Sequence, residues 1–335
     1  MKKHLVVGLV ACLLLISKVF AGNTVQPDSQ VVNFSNGESY IYQKPHAFQW
    51  AGRLPHDMVQ FGKTSFKKEN LVTVGAILAV TGAMVLVDQE MLDGTKLFAK
   101  NIGVSADNGQ KKIANFSVGK TGHSLALPIF VPTNFNTGMY FLGDGLTHVT
   151  AMTGFWVYGK VAHNYRALQT SSQLLECLFA TGIVTQTLKH LTGRESPYTA
   201  TAPGGKWRFF PNQKEYATHV PHYDAFPSGH LATLIGTVTI IADNYPEYRF
   251  VRPVGYTLCG MLAFAMVNNG VHWISDYPLG LAIGYTISKA IVADGRKTLN
   301  DGTPKKMSMY HRIKPDLIFP SPTLNGTQLT ALWQF

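Results

Sequence analysis

Lys189–Pro197 reads KHLTGRESP, Pro227–His230 reads PSGH and His272–Asp276 reads HWISD. These three pieces, all within the stretch from Lys189 to Asp276, decide how the chain is read. Lys189 and Arg194 are fixed cations, His230 and His272 sit in unlike local settings, and Asp276 follows His272 by one helical turn. Cations, two histidines and a carboxylate suit holding a phosphate group and transferring it through a histidine. Each piece lies at the end of an apolar stretch, so a bundle of helices can bring all three to one end.

The flanking sequence supplies those helices. Leu174–Leu188 carries Glu176 as its one charge, with Leu174, Leu175, Leu178, Ile183 and Leu188 at helical spacing. That helix is expected to end near Thr192-Gly193, because glycine commonly takes the left-handed conformation after a last turn. Lys189 then falls in the last turn, Arg194 just beyond it, and Pro197 reinforces the stop. Pro227-Ser228 suits a helix start running to Ala242, and the amides at such an end favour an anion. Val254–Val271 and Tyr277–Ala293 are further apolar stretches. With Leu71–Val87 and Met139–Tyr158, the latter interrupted by Asp144 and His148, they make an all-α chain with about six core helices. For Leu71–Val87, a membrane span and a buried core helix are both open readings.

The connections carry less. Residues 22–70 read as a polar arm with short strand-like alternations at 31–34 and 40–42. Asp88–Asn136 reads as a long polar connection, in which Gly119-Lys120-Thr121 is a turn because the first glycine of a phosphate loop is replaced by Ala114. The loop before His222 mixes Lys206, Arg208 and Lys214 with Trp207, Phe209 and Phe210. It reads as a solvated loop with inward aromatics or as a lid. Leu324–Phe335 suits a short hairpin around Asn325-Gly326.

Composition bounds the function. The 335 residues are 46% hydrophobic and 14% charged, with a formal net charge of +10. No run of Lys or Arg exceeds two residues, and no aromatic–basic ladder occurs, which argues against a nucleic-acid groove. A phosphorylated substrate or an anionic membrane surface fits the basic balance better. Lys2, Lys3 and His4, the apolar run Leu5–Ile16 and Val19-Phe20-Ala21 resemble a secretory signal ending before Gly22. Beyond it only Cys177 and Cys259 remain, both in apolar stretches, so no disulfide framework is expected.

The order and spacing of the three pieces resemble the type 2 phosphatidic acid phosphatase family, which also takes in class A acid phosphatases and vanadium haloperoxidases. The resemblance runs roughly from Leu71 to Ala293. It implies a helical bundle of that type and divides the chain into a signal peptide (1–21), a polar arm (22–70), a phosphatase-like domain (71–296) and a basic, proline-containing tail (297–335). It further implies His272 as the nucleophile that is transiently phosphorylated, Asp276 as its orienting partner and His230 as the general acid. Lys189, Ser228 and the amide of Gly229 are implied as phosphate ligands. No metal or cofactor is required by this scheme. The family's first-motif arginine would fall at Ser196, and its third-motif Ser-Arg at Ala265 and Met266. Arg194, two residues from the first of these positions, is the nearest substitute as a phosphate ligand; Asn268, Asn269, Arg208 and Arg252 are others.

The function expected is an exported phosphatase acting on a phosphomonoester or a lipid (di)phosphate through a phosphohistidine. The alternatives are a non-catalytic anion- or lipid-binding envelope protein, or a vanadate-dependent peroxidase, which the missing guanidiniums disfavour. The expected location is the bacterial cell envelope, in the periplasm as a soluble or membrane-associated domain, with an integral inner-membrane form as its rival.

Overall fold

The apolar stretches fold as helices whose buried stripes face one another. The computed structural model describes residues 29–34, 38–118, 125–298, 317–323 and 326–332. The signal-like segment and Gly119-Lys120-Thr121 lie outside them. Two strands, β1 (Ser29–Asn33) and β2 (Ser39–Gln43), precede α1 (Gln49–Ser65), α2 (Lys68–Val85) and α3 (Asp88–Asn101). A hairpin of β3 (Gln110–Val118) and β4 (Leu125–Pro132) leads to α4 (Phe135–Phe141), α5 (Gly145–Val161) and α6 (Tyr165–Thr192). A loop holding the short α7 (Gln213–Thr218) leads to α8 (Gly229–Asn244), α9 (Val251–Asn268) and α10 (Tyr277–Gly295). β5 (Lys297–Thr298) pairs with β2, and β6 (Leu317–Thr323) pairs antiparallel with β7 (Gly326–Leu332). The fold is all-α in its core, with short β pieces at its margins.

The 28-residue α6 is the axis of the bundle and packs against α1, α5, α8 and α10. Asn164 caps its start by accepting the amide of Ala167 at 2.8 Å. Gly193 ends it at φ 55°, with its amide on the Lys189 carbonyl at 3.0 Å. Leu174, Leu175, Cys177 and Ala180 meet Ile240, Ile283, Ile287 and Ile291 in one core cluster. Leu231, Leu234 and Val238 meet Leu262, Met266 and Trp273 in another. α8 and α10 touch backbone to backbone. A Cβ on Gly280 would stand 2.6 Å from the Ser228 carbonyl oxygen, and one on Gly284 would collide with the Ala232 carbonyl. These glycines therefore set how closely Ser228 approaches the start of α10.

Several sequence expectations change. Gln49–Ser65, read as part of a polar arm, is a helix that packs on α6 and α10. Asp88–Asn136, read as a connection, contains α3 and the β3–β4 hairpin. Met139–Tyr158 is split at Asp144, whose carboxylate caps α5 by accepting the Leu146 amide at 2.8 Å. The core-helix reading of Leu71–Val87 is overturned. α2 is long and apolar enough to cross a membrane, yet only 11% of its apolar window is buried. Val72, Leu78 and Val80 point outward.

Candidate active site

The three sequence pieces converge where α6 ends and where α8 and α10 begin. Ser228 caps α8, its Oγ accepting the Leu231 amide at 3.4 Å. Its own amide donates to the Asp276 carbonyl at 3.0 Å, tying PSGH to the turn that precedes α10. In the last turn of α6, the Thr192 hydroxyl reaches the Phe226 carbonyl at 3.2 Å, two residues before Ser228. Lys189, 5% exposed, lies with Nζ 3.9 Å from the Asp224 carboxylate.

His230 and His272 meet edge to face, with ring centroids 5.9 Å apart and planes at 73°. His230 is half-buried and also touches the Tyr140 ring, whereas His272 is 2% exposed. Nδ1 of His272 lies 3.2 Å from Oδ2 of Asp276, which also accepts the Trp273 amide at 2.8 Å. That contact directs Nε2 as the nitrogen available to an electrophile. A deep imidazole with its carboxylate, facing a more open imidazole, can divide nucleophilic and acid roles.

Arg194 takes a place other than the one expected. Its guanidinium is fully buried and stacks between Trp207 and Trp273, 4.6 and 5.3 Å from their ring centroids. One terminal nitrogen donates to Oδ1 of Asp276 and to the Ser275 hydroxyl, both at 2.6 Å. The other donates to Asp88 at 2.5 Å and to the Gly204 carbonyl at 2.8 Å. With both ends used inside the protein, Arg194 anchors the carboxylate behind His272 and does not reach a substrate phosphate. The Ser228 hydroxyl likewise turns inward, 3.9 Å from the Met266 sulfur, so Ser228 serves as a helix cap. The Gly229 amide stands free of that cap at the helix N-terminus, where an anion is favoured.

Of the other substitutes for the expected guanidiniums, Arg208, Arg252 and Asn268 are committed elsewhere. Arg208 donates to Glu195 at 2.6 Å and to the His222 carbonyl at 3.2 Å. Arg252 donates to Asp243 at 2.6 Å. Asn268 is held by Ser105 and Asn136, whereas Asn269 accepts the Val271 amide through Oδ1 and leaves its buried Nδ2 without a partner. Ser196 is 2% exposed and Met266 fully buried, so the two expected arginine positions are filled by compact packing, as is Ala265 beside the second.

Two acids that sequence reasoning did not single out complete the surroundings. Asp88, at the start of α3, accepts the Ser275 amide at 3.0 Å and its hydroxyl at 2.5 Å as well as Arg194. Nothing local marks it: it is an acid at the end of an apolar run. Glu195, fully buried, organises the loop that follows α6. Burial alone would raise its pKa, but the amides of Thr201 and Lys206 and the Arg208 guanidinium outweigh this and hold it down to about 2. Its carbonyl accepts the Trp273 indole at 2.8 Å, linking this loop to the His272 turn. The basic and aromatic loop is therefore a fixed wall as far as Trp207, with Phe209 and Phe210 exposed beyond it.

No curated protein sequence matches the chain. Among solved structures it is similar to one described as the crystal structure of the first transmembrane PAP2 type phosphatidylglycerolphosphate phosphatase from Bacillus subtilis, at 15% identity and a TM-score of 0.34, over 73% of this chain and 94% of that one. Residues 171–298 match the family model described as PAP2 superfamily. Lys189, the PSGH turn and the His272–Asp276 turn all fall within that segment, so the similarity to the PAP2 superfamily covers the part of the helical core that holds the three pieces.

Proposed function

We propose that the protein is a phosphoric ester hydrolase of the cell envelope that releases phosphate from a lipid phosphate through a phosphohistidine on His272. The observation that carries this reading is the facing pair His230–His272, with Asp276 on Nδ1 of His272. Nε2 of His272 attacks phosphorus, and the P–O bond to the alcohol breaks as His230 gives its proton to the departing oxygen. Water then attacks the phosphohistidine, His230 takes a proton from it, and phosphate leaves as the P–N bond breaks. Lys189 and the Gly229 amide meet the charge on the phosphoryl oxygens. Asp276, held by Arg194, faces Nδ1 of His272 and supports the cationic phosphoimidazole.

A lipid is preferred over a small soluble ester because of an apolar groove of about 510 Å³ beside the site. Ile77 of the exposed α2, Ile235, Tyr256, Leu281 and Tyr277 line it. The Tyr277 ring is also 6.4 Å from that of His272, so an acyl chain in the groove would hold its headgroup near the histidines. A second reading, binding without turnover, draws on the compact packing at Ser196, Ala265 and Met266.

Phosphate release by the purified chain separates the two. The substrates are phosphatidate, a polyprenyl diphosphate and a soluble phosphomonoester, each with wild type and His272→Ala. The hydrolase reading expects release from a lipid substrate that falls by at least about a hundredfold in the variant. Lipid binding with equal background release by both proteins would favour the second reading.

A further inference from the structure

Positions 176 and 189 of α6 are about 20 Å apart along the helix axis. Near the former, far from the histidine pair, α1, α6 and α10 bring His56, Asp57, Glu176 and Asp294 together. Nδ1 of His56 lies 3.3 Å from Asp294 Oδ2 and 3.8 Å from Asp57 Oδ1. One ligand atom from each of these three falls within 4.8 Å of the others. Asp57 is 2% exposed and Glu176 1%. The two carboxyls lie against each other, and neither finds a nitrogen or hydroxyl donor on either oxygen. Buried carboxyl oxygens left without a donor are costly. Arg53, near enough to lower both groups, forms no hydrogen bond to them.

We propose that His56, Asp57 and Asp294 form a divalent-cation site that fastens α1 to the end of α10. Ligand atoms about 2.1 Å from a shared ion at the tetrahedral angle stand about 3.4 Å apart, close to the His56 separations. An imidazole with carboxylates suits Zn²⁺ or Mn²⁺ better than Ca²⁺, which takes an all-oxygen shell. The Gln60 amide stands 3.2 Å from Nε2 of His56; turned so that its Oε1 accepts from Nε2–H, it leaves the Nδ1 lone pair for the ion. Asp57 is the inner ligand, while the half-exposed His56 and Asp294 leave an entry and room for water.

The test titrates the chelator-treated full chain with Zn²⁺ and, separately, Mn²⁺, by calorimetry and by thermal unfolding. The expected result is one ion of at least one of these metals per chain, with Tm raised by several degrees at about 100-fold excess over Kd. Asp57→Asn, which removes the buried charge, and His56→Ala, at a half-exposed position, should each weaken binding at least about tenfold. His272→Ala should bind as wild type does. Failure of wild type to bind either metal, or unchanged binding in both α1 variants, would overturn the proposal. So would loss of binding in His272→Ala alone, which would place the ion on the catalytic histidines.

Discussion

At the scale of single residues, the chemistry proposed for His272 depends on what stands behind it. Arg194 lies between Asp88 and Asp276 with no exposed surface. Arg194→Gln would leave two buried carboxylates facing each other, and breaking a buried pair in this way costs about 3–5 kcal/mol. Denaturant unfolding should show that loss. Glu195 adds a pH dependence with a definite sign. Its pKa is about 2 in the fold and near the ordinary 4.5 when unfolded, so its contribution is fully present above pH 4.5 and is lost as pH falls toward 2. The shift corresponds to about 3 kcal/mol. Glu195→Gln should therefore flatten the acid limb of a stability-against-pH curve. That His230, His272 and Asp276 meet was legible in sequence because each lies in a short pattern at the end of an apolar stretch. The role of Arg194 was not, because it depends on Asp88, more than a hundred positions away.

At the scale of elements, helix starts and stops were readable where one residue type decides them. Gly193 and Ser228 stand at the end of α6 and the start of α8, where the sequence places them. α1 was missed because Gly52, Pro55 and scattered charges hide its apolar stripe, which becomes visible only against α6 and α10. The α8–α10 contact has its own test. Gly284→Ala would press a methyl group against the Ala232 carbonyl and is expected to cost at least about 1–3 kcal/mol. Gly182→Ala, on α6 with nothing within 4 Å, should be neutral or stabilising by up to about 1 kcal/mol. Denaturation midpoints of the two variants should therefore move in different ways. Because Gly280 lies against Ser228, Gly284→Ala should also depress activity if the site works as proposed.

At the scale of the whole molecule, a bundle gathers the two histidines at one end while α2 keeps an apolar face outside. The bundle was legible because uncharged stretches alternate with polar connections. Which of them faces outward was not, since composition alone does not separate a core helix from a lipid-facing one. If α2 meets a membrane, wild type should co-float with anionic lipid vesicles. Val72→Gln with Leu78→Gln, both exposed positions, should reduce that binding without unfolding the chain. The most direct test of the central claim is to quench turnover of a lipid phosphate under alkaline conditions and map the phosphoryl group by mass spectrometry. An acid-labile, base-stable phosphate is expected on the peptide carrying His272 and is expected to be absent from His272→Ala. Phosphate release by wild type with no label on His272, or undiminished release by His272→Ala, would contradict it.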